Sequence, residues 1–317
     1  MTRHLGIVGC TASGKSAIAM QIATAMPDVE IVSLDAMQVY RGMDIGTAKP
    51  TPAERAEVPH HLIDVVDPDQ EWTVRATQDA ARSVIAGIEA RGKRALLVGG
   101  TGLYVRAVVD GLDVPARDHA RRAELEAATE TPAGLAEAYA QLRARDPLAA
   151  SRIEPANRRR IVRALEVIEL TGRPFSSFGA GLTAYPPPVF DLALVGVWLP
   201  RAELLARITA RFDAMRAAGL VGEVRELAAR PHGISRTARQ AIGYKELFAA
   251  LDGPPGALDA AFDQAVRRTA QFARRQRMWF RRDPRIRWVG AARNPGLLEP
   301  TVLAIWRHGA SVAAPTR

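Results

Sequence analysis

A stretch near the amino terminus has the composition and spacing of a phosphate-binding loop. Residues 9–16 read Gly-Cys-Thr-Ala-Ser-Gly-Lys-Ser, which fits the P-loop pattern of two spaced glycines followed by a lysine and a hydroxyl residue. In this pattern backbone N–H groups surround a phosphate at the start of a helix, the lysine adds positive charge and the hydroxyl can hold Mg²⁺. The predicted phosphate-binding residues are Gly9, Cys10, Thr11, Ala12, Ser13, Gly14, Lys15 and Ser16, with Ser16 as the predicted Mg²⁺ ligand.

A carboxylate follows the second predicted strand. In nucleotide hydrolases and many kinases a later apolar strand ends in an acid that tethers the Mg²⁺ shell. Here the strand predicted at 95–98 ends instead in Gly-Gly-Thr-Gly at 99–102, and the acid is Asp35, after the strand predicted at 30–34. In a doubly wound sheet that end faces the same crevice as the P-loop. On position alone, Asp35 is a metal tether, a base or a helix cap.

The elements that must position these residues alternate as in a parallel sheet. Strand patterns at 5–8 and 30–34 flank a helix pattern at 15–26, and a helix pattern at 73–90 precedes the strand pattern at 95–98. Such alternation favours βαβ units with helices covering the sheet. We therefore predict an α/β fold with a P-loop NTPase-like parallel sheet core.

The pattern changes to helical segments near Pro115 and stays helical up to three consecutive prolines that end at Pro188. No strand pattern interrupts this region, which predicts an inserted all-helical domain. Sheet pattern resumes at 189–199, and a long helix pattern at 258–282 precedes a last strand at 286–289. The predicted division is 1–114 and 188–293 for the core, 115–187 for the inserted domain, and 294–317 for a poorly ordered tail with a turn of helix at 302–306.

Composition narrows the class of protein. The apolar runs are much shorter than the roughly 20 residues that a membrane span needs, and no signal-peptide pattern precedes the first strand. We expect a soluble, cytoplasmic protein. The single cysteine excludes an internal disulfide or a cysteine-based zinc site. A formal charge of +9 suits a polyanionic partner, although an arginine-rich coding bias is an alternative source of that charge.

Much of the positive charge is concentrated in one segment. Ten arginines lie between 258 and 293. Arg267, Arg274 and Arg281 recur every seven residues, while apolar residues such as Phe262 and Phe280 fall on another stripe of the predicted helix. One face can therefore pack and the other can meet phosphates. A merely solvated arginine face is the alternative. The arginines in this segment are Arg267, Arg268, Arg274, Arg275, Arg277, Arg281, Arg282, Arg285, Arg287 and Arg293.

Long motifs extend over nearly the whole chain. Residues 35–50 read DAMQVYRGMDIGTAKP, 59–64 read PHHLID and 99–104 read GGTGLY. The set continues at 160–166 (RIVRALE), at 169–174 (ELTGRP), at Arg207-Ile208 with Arg211, and at 242–246 (IGYKE). Together these motifs resemble the tRNA dimethylallyltransferase family, in family order.

The resemblance implies a reaction. The P-loop would hold the diphosphate of dimethylallyl diphosphate, with Mg²⁺, while the N6 amine of adenine 37 beside the anticodon of tRNA attacks the prenyl carbon. Asp35 matches the family's base, and Thr101 matches a residue near the departing oxygen. Lys15 would stabilise the charge on that oxygen. The implied catalytic residues are Asp35, Thr101, Lys15 and Arg211, with Arg207 as a further diphosphate contact.

The resemblance also implies a surface for the tRNA anticodon stem-loop. We expect a monomer, because a single two-domain chain can bind one tRNA. Cys10, Ala36 and Gln240 depart from the residues usual in the family, but none removes a group that the chemistry requires. The implied tRNA-binding residues are Asp35, Ala36, Met37, Gln38, Thr101, Arg122, Arg159, Arg160, Ile161, Val162, Arg163, Gln240, Ala241, Ile242, Gly243, Tyr244, Lys245, Arg274 and Arg281.

Two other functions use part of the same pattern. In a small-molecule P-loop kinase, ATP would occupy the loop and Asp35 would activate a substrate hydroxyl, which gives the motif at 99–104 and the arginine-rich helix no task. In a nucleotide-dependent RNA-binding module, RNA binding would survive the loss of Asp35.

Overall fold

The apolar strands of the chain assemble into one parallel sheet. A computed structural model describes residues 3–290 and 295–308. Within these residues six strands pair in the order β3-β2-β4-β1-β5-β6, and the pairing is parallel throughout. The strands are β1 (His4–Gly9), β2 (Val29–Ser33), β3 (His60–His61), β4 (Arg94–Gly99), β5 (Leu192–Val197) and β6 (Arg287–Val289). The predicted α/β class with a parallel core is confirmed.

The chain divides into two units. Unit 1 contains the residues up to Val109 and from Pro188 onward, and unit 2 is Asp110–Pro187. The helices of unit 1 are α1 (Lys15–Ala25), α2 (Pro52–Glu57), α3 (Val74–Ala90), α4 (Gly102–Asp110), α10 (Arg201–Ala217), α11 (Leu220–Ala228), α12 (Tyr244–Phe248), α13 (Ala257–Phe280) and α14 (Glu299–His308). The helices of unit 2 are α5 (His119–Ala128), α6 (Pro132–Arg145), α7 (Pro147–Arg152), α8 (Arg158–Thr171) and α9 (Phe175–Thr183).

Both faces of the sheet are covered, because side chains along each strand alternate between two apolar clusters. On one face Leu5 and Ile7 of β1 pack with Ile18 and Ile22 of α1. On the other face the cluster includes Val8 and the helices α3 and α4. The sheet thereby fixes the carboxyl ends of β1, β2 and β4 at one edge.

A third apolar cluster lies beside this edge. It joins Tyr40 and Met43, from the loop that follows β2, to Phe212 of α10, Tyr244 of α12 and Phe262 of α13. The cluster holds the loop and the carboxyl-terminal helices together, so residues far apart in sequence reach the end of the sheet.

The predicted tail is in part a helix. Residues 295–298 form a 3₁₀ turn and α14 follows it, so the turn of helix expected at 302–306 belongs to a longer helix. Val302 and Trp306 are completely buried in the cluster that contains α1. The prediction of a poorly ordered segment was therefore wrong for 295–308, because this short amphipathic helix gains its stability from packing against α1 and the sheet. Residues 309–317 lie outside the described residues.

Unit 2 has its own apolar core. Leu142 of α6 and Ile161 and Leu165 of α8 are fully buried in it. No strand occurs in this part of the described chain, in agreement with the predicted all-helical insertion. Across residues 3–290 and 295–308, no helix combines the length and apolarity needed to cross a lipid bilayer.

Candidate active site

The P-loop connects β1 to α1 as its sequence predicts. Gly14 precedes the first helical residue with a φ of 94°, in the left-handed region that glycine adopts without strain. Ser13 is buried, and its Oγ has no hydrogen-bond partner among the described residues. The loop therefore directs the amino-terminal N–H groups of α1, together with Lys15, toward the carboxyl edge of the sheet.

Lys15 is a cation in an environment that disfavours charge. Its Nζ donates to the carbonyl oxygen of Cys10 at 3.3 Å. Burial lowers the pKa of Lys15, and the Asp35 carboxylate offsets part of that shift. Burial also raises the pKa of the Cys10 thiol, which keeps this small side chain neutral in the base of the loop.

Asp35 stands immediately beyond β2 in a turn that fixes its side chain. Its Oδ1 accepts hydrogen bonds from the backbone N–H groups of Met37 at 2.8 Å and Gln38 at 3.3 Å. Its Oδ2 has no hydrogen bond within the described part of the chain. One oxygen is thus used to position the carboxylate, and the other is free to accept a proton or bind a cation.

Arg211 reaches the same place from α10. Its Nη1 donates to Thr11 Oγ1 at 3.3 Å and its Nη2 to the carbonyl oxygen of Thr47 at 3.4 Å. Burial lowers the pKa of Arg211, with Asp35 acting in the opposite direction. Arg207, one turn earlier on α10, pairs with Glu203 at 2.9 Å.

These residues line one cavity of about 710 Å³. Thr101, in the turn between β4 and α4, faces it together with apolar side chains that include Phe212, Met215 and Phe272. Cationic and apolar groups thus share one cavity. The predicted site residues in its lining are Thr11, Ala12, Gly14, Lys15, Ser16, Asp35, Ala36, Met37, Gln38, Thr101, Arg207, Arg211, Gln240, Ala241 and Ile242.

The oxygen ligands in the cavity fit a hard divalent cation. Ser16, Asp35 and Thr101 supply oxygen atoms, which are the ligands that Mg²⁺ prefers. Within the described residues, no cluster of three or more His, Cys, Asp or Glu side chains could hold a metal by itself. This arrangement suits Mg²⁺, which is usually bound by one or two protein groups together with substrate phosphates.

Known proteins resemble this chain over most of its length. A family model described as IPP transferase matches residues 38–283. The chain belongs to the IPP transferase family. It is 48% identical over 301 residues to a tRNA dimethylallyltransferase of Salinispora arenicola, covering 95% of this chain and 86% of that protein. A tRNA dimethylallyltransferase of Kineococcus radiotolerans is 49% identical over 294 residues, covering 90% of each chain.

Solved structures give the same result. The tRNA isopentenylpyrophosphate transferase of Bacillus halodurans superposes with a TM-score of 0.67 and 37% identity, over 97% of this chain and 95% of that one. A eukaryotic dimethylallyltransferase acting on tRNA shares the fold, with a TM-score of 0.77 and 24% identity over 98% of this chain and 77% of that one. The predicted family resemblance is confirmed.

Unit 2 uses several of the predicted RNA-binding residues internally. Arg163 pairs with the buried Glu166 at 2.9 Å, and Arg122 lies 3.7 Å from the same carboxylate. Ile161 and Val162 are buried in the core of the unit, because the helical period turns them inward. The RNA contact assigned to these two residues stays a prediction. Arg159 and Arg160 are exposed on the first turn of α8.

The predicted segment 240–245 is divided in a similar way. Gln240 and Lys245 are exposed, whereas Ala241, Gly243 and Tyr244 are buried. The Tyr244 hydroxyl donates to Glu223 of α11, so this side chain has a structural partner inside the fold.

The arginine-rich helix α13 has the two faces that its sequence predicts. Arg274 and Arg281 are exposed, while Phe262 and Phe280 are buried. Some arginines of this segment have internal partners: Arg268 pairs with Glu246, and Arg285 pairs with Asp283. Arg293 lies outside the described residues.

Gln276 of α13 is a site residue that sequence reasoning missed. It is only 6% exposed and lines the cavity. The signal was present in the sequence, because Gln276 is a polar residue in register with the buried stripe that contains Ala273 and Phe280.

The lowered pKa of Lys15 predicts how anion binding depends on pH. Below this pKa the ammonium group is charged and contributes fully to binding, and the contribution disappears as the pH rises through it. At a pH below the pKa of Lys15, Lys15→Met should weaken binding of inorganic diphosphate about tenfold or more, since hydrogen bonds to charged groups contribute about 1.5–3 kcal/mol. The ratio of the variant and wild-type Kd values should then fall toward one as the pH is raised, and because the pKa is lowered it should do so at a lower pH than for an ordinary lysine. Isothermal titration calorimetry measures both constants, and the ratio cancels the titration of diphosphate itself.

Lys245→Met is the matched control, because Lys245 is exposed and outside the cavity lining. Its Kd ratio should stay near one at every pH. A ratio for Lys15→Met that does not change with pH would contradict the prediction.

Proposed function

We propose that the chain transfers the dimethylallyl group of dimethylallyl diphosphate to the N6 amine of adenine 37 in tRNA, with release of diphosphate. One observation carries the proposal: Lys15 and Arg211, the Asp35 carboxylate and a set of apolar side chains line a single cavity. The cations and the apolar side chains match a diphosphate ester with an apolar tail. The carboxylate matches an amine that must lose a proton.

The diphosphate would bind at the P-loop. Lys15, Arg211 and the N–H groups at the start of α1 provide positive charge where the leaving oxygen becomes negative. As the bond between the prenyl carbon and this oxygen breaks, its electron pair remains on the diphosphate. Groups that are already in place and shielded from water stabilise this charge without reorganisation.

Asp35 would act as the base. The lone pair of the adenine amine is delocalised into the ring, so the nitrogen is a weak nucleophile until its proton is removed. The new bond between nitrogen and carbon forms as this proton passes to the carboxylate. Because backbone N–H groups hold Oδ1, Oδ2 is the oxygen that would accept the proton.

The apolar side chains would surround the dimethylallyl group. Phe212, Met215 and Phe272 lie in the lining of the cavity. An allylic cation-like carbon reacts readily with water, so exclusion of water by these residues would favour transfer to the amine over hydrolysis.

Mg²⁺ is the cofactor that suits this arrangement. When bound, it would neutralise diphosphate charge, and Ser16 is the residue that would hold it. The loop amides and Lys15 would contact the remaining phosphate oxygens.

The RNA would lie against the exposed arginines of α13 and against residues at the entrance of the cavity. Gln240, Ile242 and Gln38 line that cavity, and an unstacked adenine can be read there by hydrogen bonds to its edge. Arg159 and Arg160 provide a further charged surface on unit 2. We propose that the protein acts as a monomer in the cytoplasm.

Direct product analysis tests the proposed reaction. Purified protein, unmodified tRNA, Mg²⁺ and dimethylallyl diphosphate should yield N6-isopentenyladenosine, detected by nuclease digestion and mass spectrometry. A parallel reaction with ATP in place of the prenyl donor should leave ATP intact. ATP consumption without a prenylated nucleoside would overturn the proposal and favour a kinase.

Substitution of Asp35 tests its role as the base. Asp35→Asn retains an oxygen that can accept from the backbone N–H groups of Met37 and Gln38, but it cannot take up the proton. Its kcat should fall about a hundredfold or more, because a positioned base contributes roughly 10²–10⁴ in rate. The Kd for inorganic diphosphate should change little, and equal turnover of variant and wild type would remove Asp35 from this role.

The arginine face of α13 should account for part of the salt dependence of RNA binding. The double variant Arg274→Ala/Arg281→Ala should bind tRNA more weakly. The slope of log K against log salt concentration should become shallower by about 0.7–0.9 for each phosphate that the variant no longer neutralises. Arg201→Ala/Arg225→Ala removes the same charge from exposed positions on α10 and α11 and serves as the control. Equal slopes for the two double variants would show that the α13 face is only solvated.

A further inference from the structure

The side chain of Gln276 joins two parts of the active site. Its Oε1 accepts a hydrogen bond from the backbone N–H of Thr11 at 2.9 Å, and its Nε2 donates to the carbonyl oxygen of Gly100 at 2.8 Å. Thr11 belongs to the P-loop, and Gly100 belongs to the turn that carries Thr101. One buried amide on α13 thus connects the carboxyl ends of two neighbouring strands, β1 and β4.

The contact with Thr11 lies within the diphosphate-binding machinery. P-loop N–H groups are the donors that surround a phosphate. The Thr11 N–H is taken up by Gln276, and this bond anchors the loop that carries the other donors. The Thr11 side chain accepts from Arg211 at 3.3 Å. The first part of the loop is therefore held from α13 through its backbone and from α10 through its side chain.

The turn around Thr101 is fitted closely to α13. A Cβ atom on Gly100 would lie 2.8 Å from Nε2 of Gln276, and one on Gly102 would lie 2.1 Å from Cδ1 of Trp279. Both distances are shorter than real Cβ contacts, so only glycine fits at these positions. Gln276 and Trp279 of α13 thus pack against the two glycines that flank Thr101.

The same helix presents its arginines to solvent. Arg274 and Arg281 are exposed, and Arg275 is exposed while also lining the cavity. A helix transmits a displacement or a restraint along its length, because its backbone hydrogen bonds make it a rigid element. A ligand that restrains the exposed face of α13 also restrains Gln276 and Trp279, and through them the P-loop and Thr101.

We propose that Gln276 is a positioning residue that couples RNA binding on α13 to diphosphate binding at the P-loop. The inference rests on the proposed function. Each ligand orders the same connected set of groups, so the second ligand meets a lower ordering cost than the first. By linkage the effect is reciprocal: diphosphate strengthens RNA binding by the same factor as RNA strengthens diphosphate binding.

A purely structural role for Gln276 would differ from this. A buried glutamine that only satisfies two backbone groups would contribute to the free energy of unfolding, and its removal would weaken neither ligand's effect on the other. The coupling factor, which is the ratio of the diphosphate Kd values without and with RNA, separates the two roles.

The test uses the full-length protein with inorganic diphosphate and Mg²⁺ as one ligand and a synthetic anticodon stem-loop as the other. Gln276→Met is close in length and forms neither hydrogen bond, whereas Gln276→Glu keeps the acceptor for Thr11 but has no donor for Gly100. Gln271→Met makes the same chemical change at an exposed position of α13 and is the matched control. Calorimetry gives each Kd, and thermal unfolding shows that each variant is folded.

The wild type and Gln271→Met should show a coupling factor of about fivefold or more, the lower end of typical allosteric couplings. For Gln276→Met the factor should fall to within about twofold of one, while the Kd for the stem-loop alone stays unchanged because the arginine face is intact. Gln276→Glu should give an intermediate factor, and it keeps the test decisive if Gln276→Met fails to fold.

An unchanged coupling factor in a folded Gln276 variant, or the absence of coupling in the wild type, would overturn the inference. These results are independent of catalysis. If the wild type makes N6-isopentenyladenosine and substitution of Gln276 leaves the coupling factor unchanged, only the coupling is refuted. A wild type that shows the coupling but forms no N6-isopentenyladenosine from dimethylallyl diphosphate and tRNA refutes only the proposed reaction.

Discussion

The structure depends on placing positive charge where water has limited access. Lys15 and Arg211 are cations whose pKa values are lowered by burial, and Asp35 is the carboxylate that acts on both. Removing ammonium and guanidinium groups from water is costly unless anionic partners replace the missing hydration. A single carboxylate compensates only part of this cost, so a polyanionic ligand stabilises the arrangement. The sheet, the P-loop and α10 are what hold the two cations together against their mutual repulsion.

The loop after β2 shows how much of the chain serves this purpose indirectly. The Glu223 carboxylate accepts hydrogen bonds from the backbone N–H groups of Asp44, Ile45 and Gly46 at 2.9, 2.7 and 3.2 Å. The carbonyl oxygen of the next residue, Thr47, accepts from Arg211. The Glu223 carboxylate on α11 thus holds the loop at residues 44–47, and this loop holds Arg211 beside the P-loop. Several motif residues that have no chemical task of their own acquire a structural one in this way.

The sequence predicted those features whose cause is local. The P-loop needs glycine and lysine at fixed spacing, and the faces of α13 follow from its helical period. Both features could therefore be predicted from the sequence. The contact of Gln276 with Thr11 and that of Glu223 with Asp44 were not predicted, because the two residues of each pair lie 265 and 179 residues apart in the chain. The helix at 299–308 was mistaken for a tail for the same reason: its stability comes from contacts of Trp306 with a distant element. Ile161 and Val162 were assigned to RNA binding by family match, whereas their burial follows from the helical period of α8.

The central position of β1 in the sheet has a consequence for synthesis on the ribosome. One neighbour of β1 is β4 and the other is β5, with His4 opposite Leu192 and Gly9 opposite Val197. At a translation rate of roughly 5–20 residues per second, β5 is made about 10–40 s after β1. During that interval a strand that is completely buried in the finished sheet has an unpaired edge, which is a hazard for aggregation. Unit 2 is continuous in sequence, with its own core, and can fold before the sheet is complete. The strand β1 is therefore made first, but its pairing in the sheet is among the last to be completed.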